Sequence, residues 1–247
     1  MYNSTFMSKK LFNPESDDPF KLSRTKIEEF IECPRCFYLN VRLGISHPSL
    51  PAFSLNSAVD TLLKKEFDIH RANGEQHPLM KTYGIDAVPY DNGKLKEWRN
   101  KGISFHHKET NFVVFGKVDD VWIGKSGEIF IVDYKATSTS QAITLDGDQK
   151  DRIKREVEVY QWLFRKNGFL VSDIAYFVFC NANRDRKAFD GKLEFDVKIL
   201  PYKGNDDWVE EKLKEMKECL MKDTIPSPSP NCEYCRYIER SWEVLRS

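Results

Sequence analysis

The amino-acid sequence predicts an α/β fold in which a mixed central sheet is flanked by helices. Two observations support this prediction. Segments rich in Val, Ile and Phe form two groups, and segments whose apolar residues recur at helical spacing precede, separate and follow those groups. The predicted order is helices, three strands, a helix, two strands and a final helix. This order fits an α/β or α+β sheet and does not fit a helical bundle or a β-sandwich.

The chain is long enough for one domain with a substantial core, since it has 247 residues, of which 40% are hydrophobic and 31% charged. Residues 1–22 are polar and predict a flexible lead-in. Residues 23–247 predict a single domain. Within it, 23–44 and 226–240 are expected to form one cysteine-bearing subregion.

Helical spacing marks the first part of this domain. Ser23 is a candidate cap for a helix through RTKIEEFIEC, Pro34 interrupts it, and a second helical piece ends at Gly44. After the loop ISHPSLPAF, a long helix is predicted from a cap at Asn56 to Gly74. Residues 75–93 are rich in turn formers, and LKEWRNKG predicts a short helix. The long helix carries apolar residues on one face, namely Val59, Leu62, Leu63 and Phe67.

Strand patterns begin near residue 103. Three successive antiparallel strands are predicted in ISFHHKE, NFVVFGKVDDVWIG and EIFIVDYKAT. A helix follows in DQKDRIKREVEVYQWLFRKNG, then two strands in DIAYFVFCNA and KLEFDVKILPY. The last predicted helix is DDWVEEKLKEMKECLMK, and a stiff PSPSP segment then leads to CEYCRY.

Charge and hydropathy argue against three classes: general polyanion binders, membrane-spanning proteins and secreted proteins. The 38 basic and 38 acidic residues give no net charge, so the chain lacks the positive excess of a general polyanion binder, although a local basic groove is compatible with this balance. No apolar run reaches the length of about 20 residues that spans a bilayer. The N-terminal residues have no apolar core of a secretory signal. A cytoplasmic protein without membrane association is therefore expected.

The segment FGKVDDVWIGKSGEIFIVDYKAT carries the clearest chemical signal. Asp133 and Lys135 are two residues apart in a predicted strand and so share one face of the sheet. Phosphodiester hydrolysis needs oxygen ligands for Mg²⁺ or Mn²⁺ and a cation near the attacking water. Asp119 and Asp133 can supply the ligands and Lys135 the cation. The alternative is a salt bridge at the end of a strand.

A wider pattern adds to this signal. It reads G-x-x-D, a hairpin, V-D-Y-K-A, and a helix carrying a tyrosine, and its residues here are Gly116, Asp119, Asp133, Lys135 and Tyr160. Over nearly the whole chain this resembles the RecB-like branch of the PD-(D/E)XK nucleases. The resemblance implies a restriction-endonuclease-like core in which the two acids bind metal and the lysine activates or orients the nucleophilic water.

The same resemblance implies an Mg²⁺- or Mn²⁺-dependent deoxyribonuclease. Its expected substrate is DNA, as single strands or duplex ends, cut by an exonuclease in repair, recombination or defence, with any protein partners unknown. Two competing hypotheses remain: a nucleic-acid-binding member of the fold without turnover, and a zinc-stapled interaction module.

Two positions depart from the family pattern, and at a third the pattern allows either of two aspartates. The helix that usually supplies a histidine ligand has Asp60 instead, and an aspartate still suits Mg²⁺. Glu156 stands where the family has glutamine, one helical turn before Tyr160. Glutamate can accept a hydrogen bond or touch the metal, but it cannot donate a hydrogen bond as glutamine does. Asp120 remains a possible substitute for Asp119.

Two CxxC pairs lie near opposite ends of the chain, Cys33 with Cys36 and Cys232 with Cys235. Four thiolates predict a Zn²⁺ site or a 4Fe–4S cluster. The resemblance to CRISPR-associated and AddB-type iron–sulfur exonucleases favours the cluster, although Ser241 stands where those proteins have a further cysteine. The symmetric spacing favours zinc, and both metals stay open. The remaining two cysteines, Cys180 and Cys219, are expected in the core.

Overall fold

The computed structural model describes residues 10–48 and 53–246. Residues 1–9 of the predicted lead-in and 49–52 of the predicted loop lie outside this part of the chain. The elements in chain order are β1 (Phe20–Ser23), α1 (Arg24–Glu32), α2 (Pro34–Val41), α3 (Ser54–Asn73), α4 (Pro78–Thr82), β2 (Ala87–Pro89), α5 (Leu95–Asn100), β3 (Ile103–His107), β4 (Phe112–Gly116), β5 (Asp120–Gly124), β6 (Ile129–Thr137), a 3-10 turn (Asp148–Lys150), α6 (Asp151–Lys166), β7 (Ile174–Ala182), β8 (Phe195–Lys203), α7 (Trp208–Met221) and α8 (Glu233–Arg246).

These elements divide into two compact units. The first contains the described residues of 1–50, 106–113 and 210–247, and the second those of 51–105 and 114–209. No helix within the described residues is long and apolar enough to cross a membrane.

The second unit is built on a five-stranded sheet in the order β2-β5-β6-β7-β8. All neighbouring strands are antiparallel except β6 and β7, which are parallel. In that parallel pair Asp133 lies opposite Phe177, and Lys135 lies opposite Phe179. The strand that carries both charged residues is therefore an interior strand of a mixed sheet.

Helix α3 covers one face of this sheet. Its residues Leu63 and Phe67 are buried in the same core as Trp122 and Tyr134 of the sheet. The helix ends at Gly74, whose φ of +64° is the left-handed conformation that glycine adopts at little cost. The prediction that Leu62 shares the buried face is wrong, because that side chain is 63% exposed.

The predicted strand NFVVFGKVDDVWIG is two strands in the structure. Its first part is β4, in a three-stranded sheet of order β1-β4-β3, and its second part is β5, in the five-stranded sheet. The ladder is interrupted before Asp120 because Asp119 bonds elsewhere. The Asp119 carbonyl accepts a hydrogen bond from Arg99 Nε at 2.7 Å, and its carboxylate accepts one from the Tyr134 backbone N–H at 3.1 Å.

The first unit brings the two ends of the described chain together. Tyr38 donates from its hydroxyl to the Lys222 carbonyl at 2.8 Å, and Arg42 donates to the Leu220 carbonyl, also at 2.8 Å. Arg35 Nε donates to the Pro226 carbonyl at 3.0 Å. Helix α2 and the residue after it are thus tied to the end of α7 and to the segment that follows.

Candidate active site and cysteine cluster

Asp133 and Lys135 point from β6 to the same side of the sheet. Lys135 Nζ lies 2.7 Å from Asp133 Oδ2, and the side chains are 25% and 3% exposed, respectively. The intervening Tyr134 points away from this pair, and its hydroxyl donates to Asp120 Oδ2 at 2.6 Å. Period-two alternation therefore places one acid and one lysine together, as the sequence predicts.

Helix α6 adds two side chains to this group. Glu156 Oε2 lies 3.2 Å from Lys135 Nζ, and the Tyr160 hydroxyl donates to Glu156 Oε1 at 3.3 Å. Since Glu156 and Tyr160 are one helical turn apart, they lie on one face of the helix. Lys135 thus lies between a carboxylate of the sheet and a carboxylate of the helix.

Asp119 and Asp60 meet at a second lysine. Lys64 Nζ lies 2.9 Å from Asp119 Oδ1 and 2.8 Å from Asp60 Oδ2. The first contact joins residues 55 positions apart in the chain, and the second spans one turn of α3. Asp60 therefore reaches the acidic group through Lys64.

Asp120 lies in a different environment from Asp119. Its side chain is fully buried, and its carboxylate pairs with the guanidinium of Arg71 and accepts the Tyr134 hydroxyl. Arg99 Nη2 lies 3.4 Å from the same carboxylate. Asp120 is thus committed to a buried ion network, whereas Asp119 faces Lys64.

The charges of the group act on one another. Burial raises the pKa of Asp133 well above its ordinary value; the charge of Lys135 opposes this shift, and the charges of Glu156 and Asp119 add to it. Burial lowers the pKa of Lys135, but Asp133 and Glu156 outweigh it, so that pKa lies above its ordinary value. Asp133 therefore lies in a site that favours additional positive charge.

These residues fit a divalent metal ion. Asp133 Oδ2 is buried, its contact with Lys135 lacks hydrogen-bond geometry, and no other described residue donates a hydrogen bond to it. An acceptor left in this state is available to a cation. Aspartate and glutamate oxygens are also the ligands that Mg²⁺ and Mn²⁺ prefer. Asp119 and Asp133 are the candidate ligands, and such an ion supplies charge stabilisation at phosphate and an activated water.

Sequence reasoning missed Lys64 and Arg99. Lys64 follows Asp60 by four residues, so the i, i+4 rule was sufficient to place both on one face of the helix. Nothing in the sequence pairs Lys64 with Asp119. Arg99 lies on the short helix α5, and its hydrogen bonds to the Asp119 carbonyl and to both oxygens of Asp68 come from tertiary structure alone.

The four CxxC cysteines converge in the first unit. Their sulfur atoms all lie within 4.8 Å of one another, and they form the single group of this kind among the cysteine, histidine and acidic residues that the structure describes. Three of these separations are 3.5 Å between Cys36 and Cys232, 3.6 Å between Cys36 and Cys235, and 3.8 Å between Cys33 and Cys235. The cluster joins the N- and C-terminal parts of the chain, as predicted.

The backbone around the cluster supports a thiolate at Cys33, whereas burial raises the pKa of Cys36 and of Cys235 above the ordinary value of a thiol. The Ser229 backbone N–H donates to Cys33 Sγ at 3.5 Å. Burial raises the pKa of Cys33, but hydrogen bonds from the Ser229 and Cys36 backbones, and then from the Cys36 and Cys232 thiols, lower it to about 7. The two remaining cysteines, Cys180 and Cys219, are buried outside the cluster.

The fold and its side chains define an α/β protein in which acids and lysines gather beside the central strand of a mixed sheet. The sequence profile of the PD-(D/E)XK nuclease superfamily matches residues 21–240, and the chain belongs to that superfamily. The predicted superfamily and the predicted α/β core are therefore confirmed. The RecB-like branch and the iron–sulfur cluster stay predictions.

Similarity to solved structures is distant. One similar solved structure is titled "Crystal structure of SSO0001"; it is 12% identical, the match covers 91% of this chain and 86% of that one, and the TM-score is 0.37. No curated protein matches the sequence.

Proposed function

We propose that this protein is an Mg²⁺- or Mn²⁺-dependent nuclease that cuts DNA at single strands or duplex ends. The observation that carries the proposal is the grouping of Asp133, Lys135 and Glu156 beside the pair of Asp119 and Lys64. A salt bridge at a strand end explains Asp133 with Lys135. It does not explain why further carboxylates gather at the same place, since uncompensated acids repel.

The proposed roles follow from these positions. Asp119 and Asp133 bind the divalent ion through carboxylate oxygens. Lys135 orients or activates the water that attacks the phosphorus, because its ammonium lies 2.7 Å from Asp133 and so beside the proposed ion. Tyr134 holds Asp119 in place, since its backbone N–H donates to Asp119 Oδ2.

The residues that depart from the family pattern, Glu156 and Asp60, also have roles in this proposal. Glu156 holds Lys135 from the helix side, and Tyr160 fixes the Glu156 carboxylate by donating its hydroxyl. Asp60 is proposed as a further oxygen ligand. DNA as substrate, cutting from ends, a role in repair, recombination or defence, and a cytoplasmic location rest on the resemblance to the RecB-like branch.

A cleavage assay tests this proposal. The full chain is incubated with end-labelled single-stranded DNA, duplex DNA and RNA in EDTA, Mg²⁺ or Mn²⁺. We expect cleavage of DNA that needs the metal and falls strongly in Asp119→Asn. The control is Asp148→Asn, a change in the 3-10 turn before α6. A folded wild-type chain that cuts none of these substrates would favour the nucleic-acid-binding or interaction-module alternative.

We also propose that the four cysteines hold one Zn²⁺ ion. A tetrahedral ion with Zn–S bonds of about 2.3 Å separates its sulfurs by about 3.8 Å. Three of the sulfur pairs lie between 3.5 and 3.8 Å apart, and all lie within 4.8 Å. In a 4Fe–4S cluster each cysteine binds a different iron, which requires a wider set of thiolates. The sulfur separations therefore favour a single ion over the cluster that the resemblance implies.

Metal content and colour separate the two metals. For protein purified without oxygen, we expect about one zinc per chain by elemental analysis and no absorbance of iron–sulfur charge transfer. Four irons per chain with a brown colour would contradict the zinc proposal. Such a site closes a loop between Cys33 and Cys235, which are 202 residues apart, so its role is structural.

A further inference from the structure

Lys64 is placed where two proposed ligand carboxylates face each other. Its ammonium contacts Asp60 Oδ2 at 2.8 Å and Asp119 Oδ1 at 2.9 Å. The Lys64 side chain is 24% exposed, so both contacts are partly shielded from water. The Lys64 ammonium therefore bridges the carboxylate of Asp60 on α3 and that of Asp119, the residue before β5.

An ammonium and a divalent ion cannot share this position. Mg²⁺ binds carboxylate oxygens at about 2.0–2.1 Å, so an ion between Asp60 and Asp119 has to take the space that Lys64 Nζ occupies. The carboxylates of the group do not form a preformed metal cage within the described residues, since the four cysteines are the one group whose ligand atoms all lie within 4.8 Å of one another.

Two lysines contact the carboxylates of this group. Lys64 contacts Asp60 and Asp119, and Lys135 contacts Asp133 and Glu156.

A second environment is open to Lys64. It lines a cleft of about 500 Å³ on the second unit, whose other charged residues are the basic Arg71, Lys96 and Arg99 and the acidic Asp68 and Asp91. Lys96 is exposed, whereas Arg99 is engaged by Asp68 and by the Asp119 carbonyl. A lysine has a flexible four-carbon stem, and Lys64 borders both the acids and this cleft.

We propose that Lys64 holds the cation position between Asp60 and Asp119 in the metal-free protein, and that it turns to a nucleic-acid phosphate in the adjoining cleft when the divalent ion binds. This inference rests on the proposed nuclease function, because it concerns the ion of the same site. Lys64 then acts first as a competitor of the metal and afterwards as a phosphate contact.

Binding of Mn²⁺ to the zinc-loaded full chain without nucleic acid tests the first step. Removal of the competing charge in Lys64→Gln is expected to tighten Mn²⁺ binding about tenfold in calorimetric titration. Lys64→Arg keeps the charge and is expected to bind Mn²⁺ no more tightly than the wild type. Lys212→Gln is the matched control, since Lys212 also pairs with an acid on its own helix, at 2.6 Å from Glu215.

Binding of single-stranded DNA in saturating Ca²⁺, a probe for binding without relying on turnover, tests the second step. Lys64→Gln is expected to weaken DNA binding about fivefold, and Lys212→Gln to leave it unchanged. Equal Mn²⁺ affinity in the wild type and Lys64→Gln would overturn the competition, and unchanged DNA affinity would overturn the phosphate contact. A wild-type chain that binds no Mn²⁺ at all would overturn the proposed nuclease itself, which is a separate outcome.

Discussion

The ammonium of Lys135 lies 2.7 Å from the carboxylate of Asp133, which is almost completely buried at the centre of the five-stranded sheet. A buried charge is costly unless it is paired or bound to metal. Burial raises the pKa of Asp133 although Lys135 is adjacent, so this one lysine does not compensate the acid fully. This environment agrees with the proposed role of Asp133 as a ligand of a divalent ion.

Lys135→Met is expected to reduce metal-dependent cleavage about 100-fold or more, because the variant cannot orient or activate the attacking water. The measurement is the initial rate of DNA cleavage in saturating Mn²⁺, with circular dichroism confirming the fold. Lys125→Met is the control, since Lys125 is an exposed lysine that pairs with Asp86 at 2.9 Å. Cleavage by Lys135→Met at the wild-type rate would remove Lys135 from the proposed mechanism.

Glu156→Gln is expected to retain cleavage within about fivefold of the wild type. A glutamine carbonyl still accepts the hydrogen bond that the Tyr160 hydroxyl donates to Glu156, and glutamine is the residue that the family pattern has at this position. Glu156→Ala removes that acceptor and is expected to lose about tenfold or more. Rates for the two variants in the same cleavage assay check this; equal losses would show that the negative charge itself is required.

Tyr134→Phe is expected to destabilise the protein at neutral pH by about 1–3 kcal/mol, because the buried Asp120 carboxylate loses the Tyr134 hydroxyl as a donor. Burial, and then the charge of Asp120, raises the pKa of Tyr134 well above its ordinary value of 10.0. In the unfolded chain the phenol ionises first, so its contribution to stability is complete below pH 10 and decreases as the pH rises further.

The stability difference between the wild type and Tyr134→Phe is therefore expected to shrink above pH 10. Urea unfolding at pH 8, 10 and 11 measures it. A difference that stays constant across this range would contradict the proposed bond to Asp120.

Cys232→Ser is expected to lower the midpoint of thermal unfolding and to release the zinc ion, because three thiolates bind zinc more weakly than four. Cys219→Ser is the control: this cysteine is buried as well but lies outside the cluster. Differential scanning calorimetry and elemental analysis of both variants check the prediction. An unchanged midpoint and unchanged metal content in Cys232→Ser would exclude a structural role for the cluster.

Local periodicity predicted the parts of the site that lie on one element. Asp133 and Lys135 share a face because they are two residues apart in a strand, and Glu156 and Tyr160 share one because they are four apart in a helix. The CxxC pairs were recognisable because each is a chelating unit of four residues.

The remaining features depend on tertiary structure. Alternation did not distinguish Asp119 from Asp120, and the structure separates them because Arg71 and Tyr134 engage Asp120 in the core. Between β4 and β5, the Asp119 carbonyl accepts a hydrogen bond from Arg99 of α5, a residue 20 positions earlier in the chain. No local pattern encodes a partner so far along the chain.

The location of a bound divalent ion tests the central claim most directly. A crystal of the zinc-loaded protein soaked in Mn²⁺ shows the ion by its anomalous scattering. We predict a peak about 2.0–2.3 Å from carboxylate oxygens of both Asp119 and Asp133, on the side of Lys135. A fully soaked crystal in which these two acids hold no ion, with Lys64 and Lys135 still in their present contacts, would contradict the account.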